Sequence, residues 1–217
     1  MQFRKSKFLL ILVALLGLTA CADDPPPAAV QTPGETPADV RTTNSVAGLD
    51  WSRKRYDRTL EMERNGQLRC DTVVYDCPDD AAAGRFIFCY AGGDLVRAAH
   101  EATLGDHASV SESYYYDGDD MYVAKLASGA WHFASPADGQ TETPGEPATI
   151  DEVHEEMRYY SNGDLVDRRF KDYVIDARTP GPPPENIPDR DTGEGVDNTL
   201  GPDAVRAVQR SNTYACP

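Results

Sequence analysis

Apolar residues crowd together once, near the start of the chain, and afterwards spread into short alternating runs. Residues 8–16 form an unbroken apolar block behind Arg4, Lys5 and Lys7. The block falls short of the roughly 20 residues that span a bilayer, and the order of positive leader, apolar core and small residues is that of a secretory signal. Further along, four segments repeat one pattern: alternating polar and aromatic residues, a turn centred on glycine, then a second short run. They cover 61–70, 86–96, 114–123 and 157–166, with Gly66, Gly93, Gly118 and Gly163 in the turns.

Asn-Gly, Gly-Gly and Asp-Gly accept the positive φ angles of tight hairpin turns, and the flanking aromatic and β-branched residues suit a pleated, half-buried face. The turn glycines lie 27, 25 and 45 residues apart, and the longest gap holds a segment, 135–148, rich in Pro, Gly, Thr and Glu. The pattern predicts a mainly β fold, an antiparallel meander of about four hairpins forming a curved sheet or a small barrel or sandwich. Leu95–Ala102 could also be a helical turn, but the repeat favours a strand starting at Leu95. Pro180-Gly181-Pro182-Pro183-Pro184 then ends the domain. Pro202 early, Asp203 near the start and Arg210 near the end of 201–210 predict one short C-terminal helix.

The residues closing the apolar leader are Leu18-Thr19-Ala20-Cys21. They resemble the lipobox of bacterial lipoproteins, in both motif and position. The resemblance implies that Cys21 receives a diacylglyceryl group, that cleavage falls between Ala20 and Cys21, and that the new amine is acylated. Lipid on Cys21 would then be the membrane attachment, since each buried CH₂ contributes about 0.8 kcal/mol and two or three chains hold durably. Ala22 follows the cysteine where an aspartate would favour inner-membrane retention, so the expected address is the cell envelope, at the outer membrane facing the periplasm or the cell surface. Pro25, Pro26, Pro27, Pro33 and Pro37 punctuate a segment with few apolar side chains, which reads as a disordered tether. The expected organisation is signal peptide 1–20, lipidated cysteine and tether 21–47, β domain 48–180, and a Pro-rich acidic tail 181–217.

Tyr159-Tyr160-Ser161-Asn162-Gly163-Asp164-Leu165, echoed by Tyr90, Gly93 and Leu95, is similar to the MORN-type hairpin repeats. The first segment has no tyrosine before its turn, and the third carries an additional Asp before Met121. That resemblance implies a hairpin-repeat architecture and a binding role.

Charge narrows the partners. The chain has 21 basic and 36 acidic residues and a net charge of −15; without residues 1–20 it has 18 against 36, near −18. Such a balance disfavours nucleic acid and anionic lipid and is compatible with a cationic protein or with divalent cations. With Cys21 given to lipid, Cys70, Cys77, Cys89 and Cys216 are left, an even set suited to two disulfides in an oxidising compartment. Three connectivities exist. Strand pairing across 78–84 favours Cys70–Cys89, which leaves Cys77–Cys216 to tie down the tail. The spacing lacks the close Cys-x2-Cys of a zinc site.

Recognisable chemistry is sparse. His100, His107, His132 and His154 form no His-Glu-x-x-His and read as surface histidines. No serine lies in Gly-x-Ser-x-Gly, and no phosphate-cradling loop is present. Asp189–Asp197 begins like a calcium loop, but Glu194 stands where the sharp-turn glycine belongs. No cofactor or metal is expected. Consecutive tyrosines must point to both faces of a strand; most fill the core. Tyr114, Tyr116, Tyr159 and Trp131 are the candidates for an exposed recognition surface. The reading is a non-catalytic envelope lipoprotein that binds a protein or cell-wall partner, in its sharper form an inhibitor or immunity protein of a cationic wall-degrading enzyme. The alternative is a lipid-anchored hydrolase using a carboxylate pair.

Overall fold

A computed structural model describes residues 37–134, 149–176, 178–179 and 181–216, with side chains from residue 46 onward. The expected signal peptide, Cys21, most of the expected tether and the 135–148 segment lie outside the described residues. The described chain belongs to one unit, Thr36–Pro217.

Seven strands run β1 Arg69–Cys77, β2 Ala82–Ala91, β3 Asp94–Leu104, β4 Ala108–Asp117, β5 Asp120–Phe133, β6 Thr149–Ser161 and β7 Asp164–Asp176. They form one antiparallel sheet in strictly sequential order. The meander is open: β1 and β7 are edges, so the barrel and sandwich options give way to a single sheet covered from both sides.

Three of the four expected turns are hairpins. Their two-residue connections are Gly92-Gly93, Gly118-Asp119 and Asn162-Gly163, and the next residue is Asp94, Asp120 or Asp164. The register slips just before each turn, so that Tyr90, Tyr116 and Tyr160 pair across to Leu95, Met121 and Leu165 while Val96, Tyr122 and Val166 are left as the unpaired bulge residues. The additional Asp in the third segment is thus a turn residue, and the three hairpins are equivalent position by position. A bulge at each turn sharpens the local twist and lets adjacent tyrosines serve opposite faces.

The fourth expected turn, Asn65-Gly66, is a correction. It ends a helix, α1, spanning Pro37–Arg64 over 28 residues, where a hairpin was expected at 61–70 and a tether up to residue 47. Gly66 has φ +64°, and its N–H donates to the Glu63 carbonyl while Gln67 donates to Met62. A helix C-terminus and a hairpin turn both demand positive φ, so the same dipeptide serves either. The helix hides from a periodicity search because its buried stripe is Gly48, Ser52 and Thr59, small or polar residues at helical spacing.

Those residues allow close packing. The Ser52 hydroxyl donates to the Tyr160 carbonyl at 2.6 Å, and Thr59 Oγ1 meets the Tyr122 hydroxyl at 2.9 Å. Tyr56 packs edge-on against Tyr115 with ring centroids 4.9 Å apart. A Cβ on Gly48 would come within 2.7 Å of Ser161 Cβ. Gly48→Val is therefore expected to lift α1 from β6 and cost about 1–3 kcal/mol, measured as a lower midpoint in urea with an unchanged slope.

The opposite face is covered by the C-terminal arm, which leaves β7 and reaches α2, Pro202–Ser211. This is the short C-terminal helix expected from Pro202, Asp203 and Arg210. Val205 and Val208 on α2, with Val196 before it, join Phe86, Phe88, Tyr114, Tyr116 and Leu126 in the larger core cluster. Tyr115, Tyr122, Val123, Met157 and Tyr159 form the smaller cluster under α1. Cys70 bonds to Cys89 and Cys77 to Cys216, the same pairs that strand spacing favoured. The first bond joins neighbouring strands; the second fastens the end of the arm to β1.

Candidate functional site

One register row crosses the arm-side face: Val73, Phe86, His100, Glu112, Leu126, Glu156 and Phe170 on β1 to β7. Two of its members are carboxylates with no exposed surface. Glu112 accepts from His100 Nδ1 at 2.8 Å, from the Tyr114 hydroxyl at 2.5 Å, and from the N–H groups of Leu200 and Gly201 at 2.9 and 3.0 Å. Burial alone would push its pKa up, but these four hydrogen bonds outweigh it and hold the carboxyl below the ordinary value. Tyr75 closes the network, its hydroxyl 2.7 Å from His100 Nε2. Burial raises the Tyr75 pKa to about 12, with Tyr214 and Glu112 adding to the effect.

Glu156 is held in the same manner. Burial would raise its pKa, yet the guanidinium groups of Arg158 and Arg168 and the Val196 N–H keep it lowered. Arg158 donates from Nε and Nη2 at 2.5 and 2.9 Å and Arg168 from Nε at 2.8 Å, while Val196 N–H donates at 3.2 Å. Both carboxylates thus grip the backbone of the arm. Glu112 also sits at the start of α2, where the helix dipole favours an anion. Their oxygens are spent on the chain itself.

Among the described residues, the other face is only partly covered. Toward the turns at Gly92, Gly118 and Asn162, α1 lies over Tyr115, Val123 and Tyr159; beyond it the sheet opens as a trough of about 820 Å³. Two register rows form its floor and banks. One runs Val74, Arg85, Glu101, Ser111, Ala127 and Glu155 from β1 to β6, and the next runs Ala83, Thr103, Ser109, Gly129, Val153 and Tyr173 from β2 to β7. In these two rows β4 and β5 contribute only small groups, Ser109, Ser111, Ala127 and Gly129. A Cβ on Gly129 would approach Ser109 Oγ to 2.9 Å, so the floor is already closed there. Arg85 and Glu101 pair at 2.7 Å on one bank, Lys125 and Glu155 at 2.9 Å on the other. The Tyr173 hydroxyl has a raised pKa, chiefly from burial and then from Glu155.

The expected recognition surface is corrected. Tyr114, Tyr116 and Tyr159 keep only 3%, 4% and 8% of their surface exposed. They point to both faces as consecutive residues must, but each face at that end has a cover, the arm for Tyr114 and Tyr116 and α1 for Tyr159. Trp131 is half-buried, its ring 4.3 Å from His107 and 5.3 Å from Phe133. By strand alternation it shares the trough face, two residues past Gly129. His100, read as a surface histidine, is buried in the Glu112 network. His154 pairs with Asp172 at 2.8 Å. Asp189 and Asp191, the start of the calcium-like loop, face Lys171 and Arg169.

The trough residues themselves were missed. The one available signal is small residues at every second position, Ser109, Ser111 and Ser113 on β4 and Ala127 and Gly129 on β5, which mark a face too low to be core. Among the described residues no three His, Cys, Asp or Glu side chains are grouped to hold a metal ion, and no helix is long and apolar enough to cross a membrane. No family model, curated protein or solved structure matches this chain, so its functional reading rests on the anchor motif, the trough and the covers around it.

Proposed function

We propose that this chain is a lipid-anchored lipoprotein of the cell envelope whose sheet domain binds a protein or cell-wall partner and performs no chemistry on it. The observation that carries the binding role is the trough, a stretch of one sheet face that no described residue covers. A concave sheet face left open beside a helix that covers the rest of it is a surface available to a partner. The anchoring role comes from Leu18-Thr19-Ala20-Cys21 behind the apolar leader. The two fully buried carboxylates, each saturated by donors from its own chain, favour binding over hydrolysis. In the sharper form, the excess of 36 acidic over 21 basic residues suits a cationic wall-degrading enzyme as the partner.

Two measurements test the parts. Cys21→Ser should give an unprocessed chain that takes up no labelled fatty acid; labelling equal to the parent rejects the anchor. Incubating the lipidated chain in detergent with a basic lysozyme and with wall fragments tests the domain. Stoichiometric inhibition or retention on the fragments supports binding, whereas turnover of the fragments rejects a non-catalytic role.

A further inference from the structure

We infer that the trough takes a neutral, hydroxyl-rich ligand, a segment of oligosaccharide chain, a conclusion that rests on the trough being the binding site proposed above.

Three features of the trough converge on that class. The first is charge. In a chain of net charge −15 the trough is electrically balanced, because its two cations, Arg85 and Lys125, are each paired with a carboxylate, Glu101 and Glu155, on the same bank. A cationic or an anionic ligand would meet one like charge on each bank and would have to break an ion pair to reach its counter-charge. A neutral ligand with many donors and acceptors can hydrogen-bond to both members of each pair and leave the pairs intact.

The second is the floor. Ser109 and Ser111 line the floor between the banks, and a hydroxyl both donates and accepts, as the hydroxyls of a sugar do; the Thr103 hydroxyl, which donates to the Ala83 carbonyl at 3.3 Å, keeps acceptor capacity. The floor strands β3, β4 and β5 are interior to the sheet, and each has a hydrogen-bonded neighbour on both sides. Their N–H and C=O groups are committed to the ladder. An extended peptide, which binds sheets by pairing with free backbone groups at an edge, finds none here. Recognition in the trough must come from side chains alone.

The third is the rim. Tyr173 lines the β7 side, whereas Trp131, further along β5, lies outside the lining and packs against His107. An aromatic side chain at the edge of a polar floor suits the apolar C–H face of a pyranose ring. The volume, about 820 Å³, is in the range of small-ligand sites and accommodates a few sugar rings.

The test uses the lipidated full-length chain in detergent, titrated calorimetrically with tetra-N-acetylchitotetraose, with an oligogalacturonide and with oligolysine. Saturable binding of the neutral tetrasaccharide is expected, weakened about tenfold or more by Ala127→Trp, which fills the floor, with the melting midpoint retained. Ser111→Tyr, one strand away in the same row, serves if Ala127→Trp fails to fold. Binding of the oligogalacturonide or oligolysine instead, lost on Ala127→Trp, overturns the neutral-glycan assignment but leaves the trough as the site. Retention on wall fragments that Ala127→Trp abolishes, without affinity for any of the three probes, does the same. Retention that neither variant changes overturns the trough as the site, and with it the ligand class.

Discussion

Removing the Cys77–Cys216 bond, by Cys77→Ala with Cys216→Ala, is expected to cost about 4–5 kcal/mol of unfolding free energy, enough to leave a domain of this size marginal. The bond closes a loop with a sequence separation of 139, from the end of β1 to the end of the arm. Chain entropy gives such a long cross-link a large effect on the unfolded state. Cys70–Cys89, with a separation of 19, constrains far less, and Cys70→Ala with Cys89→Ala should cost about 3 kcal/mol by the same relation. The location of the loss should differ too. Freed of Cys216, the arm loses its terminal fixing point, and Tyr214, which packs 4.5 Å from Tyr75 and 5.2 Å from Phe86, is held only by its own contacts. Hydrogen exchange should quicken first in α2 and then in β1, with β4 to β6 protected until global unfolding. Equal losses for the two double variants, or uniform exchange, would show that the arm does not depend on its terminal staple.

The arm, the staple and the hairpins were legible to different degrees, for physical reasons. Gly-Gly, Asp-Gly and Asn-Gly between aromatic runs marked three hairpins because that chemistry is local, and the cysteine pairing followed once β1 and β2 were set side by side. Helix α1 was not legible, since Gly48, Ser52 and Thr59 carry no apolar period and Asn65-Gly66 fits a helix end as well as a hairpin. Tyr114, Tyr116 and Tyr159 were visible as aromatics but not as buried, because which end of each face receives a cover is a tertiary fact. Glu112 and Glu156 looked like any other acids among 36; only the register row that puts them beneath Leu200, Gly201 and Val196 gives them a role. The trough was hardest to see. It is built from what is missing, the side chains that Ala127, Gly129 and Ser109 do not have.

Glu112→Ala should destabilise the protein by about 3–5 kcal/mol, the cost of leaving buried polar partners of a charge uncompensated. His100, Tyr114 and the amides of Leu200 and Gly201 would all lose their acceptor at once, and α2 would lose the anion at its N-terminus. Glu112→Gln keeps one acceptor oxygen in place and should cost less, and its use is to read the pH dependence. Because the folded Glu112 carboxyl titrates below its ordinary value of 4.5, the folded state holds the ionised form more tightly than the unfolded chain does. The stability this supplies is fully present above pH 4.5 and is lost as the pH falls through the lower folded value, since the unfolded chain takes up the proton first. Over that acid limb each such carboxylate steepens the decline by up to about 1.4 kcal/mol per pH unit. Glu156, lowered likewise, adds a second contribution, and Asp172, held down first by its hydrogen bond to His154, a third. Subtracting the Glu112→Gln profile from the parent profile isolates Glu112: the difference should be flat above pH 5 and shrink toward acid. A difference that stays constant down to pH 2 would mean that the Glu112 carboxyl titrates in the folded state as it does in the unfolded chain, and that the arm's attachment owes nothing to its charge.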